Sequence, residues 1–192
     1  MKSVLFVCHG NICRSPMAEF IFKKMVRDAG FAVAGSREGA ATGEKSRAQE
    51  EAEGLTGAEN VTGTGEEGNN VREVFRVESS AVSYEEIGND IYPPAKRTLA
   101  AHGVPFSRHS AHRITDAEAN EYDVIVTMDS SNRRLISRII GPANMAKVHS
   151  MMEYAGKDSD VSDPWYTGDF ETTYRDIVEG CAGLLKTLVK AV

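Results

Sequence analysis

The chain has 192 residues, 41% of them hydrophobic and 26% charged, enough for one domain with a two-faced sheet and unlike a disordered or fibrous protein. Its formal net charge of -6 excludes a general nucleic-acid binder, which needs a basic excess to displace counterions, so any phosphate site must be local. The first apolar run is too short for a signal-peptide core, and no later stretch reaches membrane-spanning length.

Three cysteines, Cys8, Cys13 and Cys181, make an odd count, without the spacing of a disulfide framework or the ligand cluster of a zinc site. A reduced, cytoplasmic protein is expected, with no metal or other cofactor and no membrane or nucleic-acid partner.

Residues 3–7 form a short apolar run that breaks at Cys8-His9-Gly10. Ser15-Pro16 then opens a periodic segment through Asp28, with Met17, Phe20, Ile21 and Met25 at helical spacing. The pattern reads as strand, loop, helix. From about residue 32 to residue 70, Gly, Glu, Ala and Thr dominate, and large apolar residues shrink to Leu55 and a few valines. Such a segment buries too little apolar area to offset ordering entropy, so a flexible insertion is expected within a single domain spanning residues 1–192.

Alternation at residues 74–78 predicts a second strand, and Pro93-Pro94 starts a helix ending near Gly103. Residues 123–127 read as a buried third strand, residues 130–140 as a helix stopped by Gly141-Pro142, and residues 146–149 as a fourth strand. The tail from Asp169 to Val189 places Tyr174, Ile177, Cys181, Leu185 and Leu188 on one helical face. Strands alternating with helices imply an α/β fold: a doubly wound four-stranded parallel sheet flanked by helices, with a phosphate loop after the first strand.

A strand feeding an eight-residue turn into a helix start is an anion cradle, because backbone N–H groups and the helix dipole converge there. Residues 8–15 occupy that position. Cys8 comes first, where the same field favours the nucleophilic thiolate. Arg14 supplies a planar fork for two phosphoryl oxygens, and Ser15 a hydroxyl for the sulfur. Gly10 lets the backbone curl close to an anion, and Asn11 suits a left-handed position. His9, Ile12 and Cys13 complete the phosphate-binding turn, with His9 a rim residue contributing its backbone N–H.

An aryl phosphate also needs a proton for its leaving oxygen, and one carboxyl can give that proton and later activate water. Asp158, Asp160 and Asp163 are the late candidates, and Asp129, just after the third strand, competes with them. Trp165 and Tyr166 are suited to an apolar wall for a phenol ring, which favours phosphotyrosine over the shorter phosphoserine.

The run Val7-Cys-His-Gly-Asn-Ile-Cys-Arg-Ser-Pro-Met-Ala-Glu19 resembles the signature of the low-molecular-weight protein tyrosine phosphatases. Gly88, the Pro-Pro-Ala helix start, His109, Met128-Asp129 with Asn132, and Asp163-Pro-Trp-Tyr166 follow in that family's order. The resemblance spans nearly the whole chain except the insertion. It implies hydrolysis of phosphotyrosine-containing proteins through a phosphocysteine, with Asp163 as general acid and Asp129 as loop support. It further implies that His109 supports the loop through Asn11 and Ser79, and that Cys13 takes part in reversible oxidation. One departure stands out: Glu85 falls where a wall aromatic often stands, leaving Tyr84 to replace it if the loop turns that ring inward.

Rival readings share part of the pattern. Arginine phosphatases on this fold tend to carry Thr where this chain has Ile12, and arsenate reductases need a further cysteine pair, whereas only Cys181 remains. A cysteine phosphocarrier must resist hydrolysis, which Arg14 and a water-activating Asp163 oppose. A binding module would rest on the insertion alone.

Overall fold

The computed structural model describes residues 1–34 and 73–190. Strand β1 (Lys2–Cys8) alternates its side chains between two apolar layers, so nearly every residue in it is buried. Val4, Phe6 and Cys8 face one layer and Leu5 and Val7 the other.

The chain continues through α1 (Arg14–Asp28), β2 (Ala32–Val33), β3 (Val74–Ala81), α2 (Pro93–Ala101), α3 (Asp116–Ala119) and β4 (Val124–Thr127). It closes with α4 (Ser130–Ile136), α5 (Pro142–Met145), β5 (Val148–Ser150), a 3-10 helix (Met151–Ala155), α6 (Pro164–Thr167) and α7 (Phe170–Lys190). The sheet is parallel, in the order β2-β3-β1-β4-β5. It has five strands where four are legible in the sequence.

The additional strand is β2. Ala32 and Val33, which composition assigns to the insertion, pair in register with Val74 and Phe75. The rest of the expected insertion, residues 35–70, lies outside the described residues.

Helices cover both faces, as parallel sheets require. On one side α1, α2 and α7 pack with Phe6, Phe22, Phe75, Leu99 and Ile177, and the Phe6 and Phe22 rings meet edge to face at 5.6 Å. On the other, Ile136, Ile140, Ala119 and Tyr122 cover Leu5, Val7 and Ile125. Gly183 brings α7 against the 3-10 helix; a Cβ there would lie 1.9 Å from the Tyr154 carbonyl oxygen. From β1 the sheet grows toward β3 on one side and β4 on the other. That divergence opens a crevice at the carboxyl end of β1, the usual ligand position in such sheets. No described helix is long and apolar enough to cross a membrane.

Candidate active site

The turn between β1 and α1 fills this crevice. Its residues line a cavity of about 370 Å³ together with Glu85, Glu86, Asp129, Asn132, Asp163, Trp165 and Tyr166. Cys8, His9, Gly10, Ile12, Cys13 and Arg14 all reach it, whereas Asn11 lies buried behind the turn.

Asn11 has φ 59°, a left-handed conformation that its short polar side chain tolerates. This aims its backbone N–H at Cys8 Sγ, 3.3 Å away. Its amide is fully used: Nδ2 donates to Ser15 Oγ and Ser79 Oγ, both at 2.9 Å, while Oδ1 accepts from His109 Nε2 at 3.1 Å and the His112 backbone N–H at 3.3 Å. The His112 N–H is an unambiguous donor, which fixes the amide orientation.

Those bonds set the direction of their neighbours. Because Asn11 donates to Ser15 Oγ, the Ser15 proton is free for Cys8 Sγ at 3.1 Å, with the Ser80 carbonyl a longer alternative at 3.4 Å. Ser79 likewise receives from Asn11 and passes its own proton to Glu19 Oε2 at 2.6 Å. His109 Nε2 faces two acceptors, the carbonyl and side-chain oxygens of Asn11, so that nitrogen carries the hydrogen. Burial holds His109 below its ordinary pKa against the pull of Glu19, which keeps it neutral.

Arg14 is 3% exposed. Its two terminal nitrogens donate to different carboxylates, Nη1 to Asp129 Oδ2 and Nη2 to Asp163 Oδ2, each at 2.6 Å. Burial opposes its charge, but Cys8, Asp163 and Asp129 outweigh burial and hold the guanidinium above its ordinary pKa. Asp129 also caps α4 by accepting from the Asn132 N–H at 2.5 Å, and Asp163 caps α6 by accepting from the Trp165 N–H at 3.0 Å. Of the other late carboxylates, Asp160 accepts from Ser130, and neither Asp158 nor Asp160 lines the cavity.

Cys13 is buried; burial first, then Cys8 and Asp163, push its thiol up to about 12, so it remains protonated. Cys181 is fully buried on α7, and burial pushes its thiol up as well. All three cysteines are free thiols.

Trp165 and Tyr166 are 60% and 85% exposed at the cavity mouth. Glu85 lines the same cavity and pairs with His9 Nε2 at 2.9 Å, so the His9 side chain also shapes the rim. Tyr84 does not supply a wall. Its ring lies under the Arg113 guanidinium at 4.4 Å, its hydroxyl accepts from Arg113 Nη1 at 2.9 Å, and it stays outside the cavity lining.

Several residues of the site have no motif of their own. Glu86 covers Gly10 so closely that a Cβ on residue 10 would fall 2.9 Å from Glu86 Cγ. Glu19 is 6% exposed and pairs with Lys23 at 2.5 Å. The spacing of Glu19 and Lys23, about one helical turn, is the signal for this pair in the sequence. Asp90 accepts from the His109 N–H at 3.1 Å and pairs with Lys96 at 2.6 Å, anchoring the segment that carries the histidine.

The family model of the low molecular weight phosphotyrosine protein phosphatases matches residues 3–74 and 56–192. The low molecular weight phosphotyrosine protein phosphatase of Homo sapiens is 33% identical over 190 residues, covering 96% of this chain and 94% of that protein. The low molecular weight protein-tyrosine-phosphatase YfkJ of Bacillus subtilis is 28% identical over 193 residues, covering 99% and 97%. The crystal structure of YfkJ matches with a TM-score of 0.72 at 27% identity, covering 100% of this chain and 96% of that one. A low molecular weight protein tyrosine phosphatase structure from Streptococcus pyogenes matches with a TM-score of 0.68 at 28% identity, covering 98% and 93%. With a turn bearing Cys8 and Arg14 at the carboxyl end of β1 and these matches along almost its full length, the chain belongs to the low molecular weight phosphotyrosine protein phosphatase family.

Proposed function

We propose that the chain dephosphorylates phosphotyrosine in proteins, with Cys8 as nucleophile, Arg14 and the turn of residues 8–14 as the phosphate cradle, and Asp163 as general acid and base. The observation that carries this reading is the placement of Arg14, whose fork joins the Cys8 turn to the Asp163 loop.

In the first step the Cys8 thiolate attacks phosphorus, the bond to the tyrosyl oxygen breaks, and Asp163 gives its proton to that oxygen. Arg14 and the backbone N–H groups hold the equatorial oxygens as charge redistributes. In the second step Asp163 takes a proton from water, the water oxygen attacks phosphorus, and the sulfur leaves as thiolate. The Ser15 hydroxyl, directed by Asn11, steadies that sulfur. Asp129 holds Arg14 and the start of α4, and Ser79 and His109 hold Asn11.

Asp163 is preferred to Asp129 because it is more exposed, 26% against 15% for the side chains, and adjoins the aromatic mouth. Trp165 and Tyr166 form the wall for the phenol ring, and Ile12 adds an apolar surface to the cavity. Cys13 neighbours the nucleophile and is assigned the redox role: its thiol displaces hydroxide from an oxidised Cys8 sulfenic acid, giving a disulfide and water. Non-reducing mass spectrometry after peroxide treatment reads that bond, and its absence removes the assignment. Three free thiols accord with a cytoplasmic setting.

The main test is hydrolysis of p-nitrophenyl phosphate near pH 5–6 by wild type, Cys8→Ser and Asp163→Ala. Wild type is expected to turn over with a burst, Cys8→Ser to be inert, and Asp163→Ala to be slow. Turnover by Cys8→Ser at the wild-type rate would exclude the mechanism. Phosphotyrosine peptides, compared with phosphoarginine peptides, check the substrate class.

A further inference from the structure

Beside the catalytic cavity lies a second one of about 520 Å³, walled by α2 on one side and by α6 and the start of α7 on the other. Its apolar part is an aromatic group: the Tyr92 ring lies 5.7 Å from Trp165 and 6.1 Å from Phe170 between centroids. Arg97 lines the same cavity, is exposed, and makes no hydrogen bond or ion pair among the described residues. Its neighbour on α2, Lys96, is by contrast paired with Asp90. Trp165 lines both cavities, so the two adjoin at that residue.

This geometry gives the active-site mouth two unlike sides. Glu85 and Glu86 form one rim of the catalytic cavity, and Arg97 stands beyond Trp165 in the adjoining cavity. A peptide whose phosphotyrosine occupies the catalytic cavity meets carboxylates in that cavity and, past Trp165, a guanidinium that is unpaired among the described residues and shares its cavity with aromatic side chains. Resting on the phosphotyrosine phosphatase reading, we propose that the second cavity is a substrate subsite that takes an acidic side chain, Asp or Glu, flanking the phosphotyrosine.

Two physical points fix that occupant. An exposed cation beside aromatic faces attracts a carboxylate carried on an extended chain, and Arg presents a fork that matches it. Because the two cavities share Trp165, the span between them is taken as about two or three residues of extended peptide at roughly 3.3–3.6 Å each. The acidic residue therefore stands two or three positions from the phosphotyrosine. A basic residue there would meet like charge, so the subsite selects as well as attracts.

The test measures kcat/KM on phosphotyrosine peptides that differ only in carrying Glu, Gln or Lys two or three residues to either side of the phosphotyrosine, with p-nitrophenyl phosphate in parallel. Wild type is expected to favour Glu over Gln by about tenfold at one of these positions, through KM. Arg97→Gln abolishes that preference and Arg97→Glu inverts it toward Lys, with circular dichroism confirming that both variants fold. A wild type indifferent to the flanking charge, or a preference that survives in both variants, overturns the subsite while turnover of p-nitrophenyl phosphate leaves the phosphatase reading standing. Absence of turnover on p-nitrophenyl phosphate and on every peptide overturns the phosphatase reading and the subsite with it.

Discussion

Arg14 Nη2 and Asp163 Oδ2 lie 2.6 Å apart although 149 residues separate them in the chain. The proposed phosphate clamp and the proposed acid are thus positioned by each other. Arg14→Lys keeps the charge but replaces a two-pronged fork by a single point, which cannot span Asp129, Asp163 and a phosphoryl group together. A loss of roughly 10²–10³-fold in kcat on p-nitrophenyl phosphate is expected, the usual cost of removing a transition-state donor. A decrease under tenfold would show that charge alone suffices.

Asn11 offers a way to separate backbone conformation from hydrogen bonding. Asn11→Gly keeps the left-handed φ but removes the side-chain bonds to Ser15, Ser79, His109 and His112, while Asn11→Ala removes them and adds conformational strain. Denaturant unfolding is expected to show both less stable, by roughly 1–3 kcal/mol for the unsatisfied buried groups. Ala is expected to be the worse by a further ~1–2 kcal/mol. Equal stability of the two variants would remove strain from the account.

His112 gives a pH signature. Its bond to Glu118 raises the imidazole pKa against the opposing effect of burial. A histidine whose folded pKa exceeds its unfolded value stabilises fully below the unfolded pKa of about 6.5 and loses that stabilisation as pH rises through the folded value. The Tm of wild type minus that of His112→Gln is therefore expected to be largest in acid and to shrink with rising pH. A difference that grows with pH would contradict the assignment. His109 has the opposite shift, caused chiefly by its own burial, which His112→Gln leaves in place.

The insertion is expected to be dispensable for chemistry. Its described flanks, Ala34 and Glu73, sit at the amino end of the sheet, where Val33 pairs with Phe75 and Phe75 with Lys2. Cys8 is level with Ala81, six residues further along, or about 20 Å at strand spacing. Replacing residues 35–70 by a six-residue Gly-Ser linker is expected to leave p-nitrophenyl phosphate turnover within about threefold. A collapse of turnover in a folded variant would place the segment in the catalytic apparatus.

The phosphate turn was legible because its physics is local: an apolar strand, a Gly-Asn turn and a helix start lie within fifteen residues of sequence. The sheet is legible for the same reason, except β2, whose two partly buried residues are too few to show a strand period. The four-residue helices α3, α5 and α6 are not legible either, since they are too short to show a periodic face. Tyr84 shows the limit clearly. Its sequence neighbours permit either an inward or an outward ring, and Arg113, 29 residues away, determines which is adopted. The role of Glu19 is not legible in the sequence, because a charged residue on a helix reads as solvated until Ser79 is seen beside it.

The contact between Gly10 and Glu86 links two loops that a protein engineer would otherwise vary separately. A methyl group at position 10 would stand 2.9 Å from the Glu86 methylene, so the glutamate side chain has to swing aside before that position accepts anything larger. A library that randomises the turn alone therefore samples position 10 against Glu86, which favours glycine there. Shortening residue 86 at the same time opens that side of the mouth, and the two positions are best treated as one site of diversification.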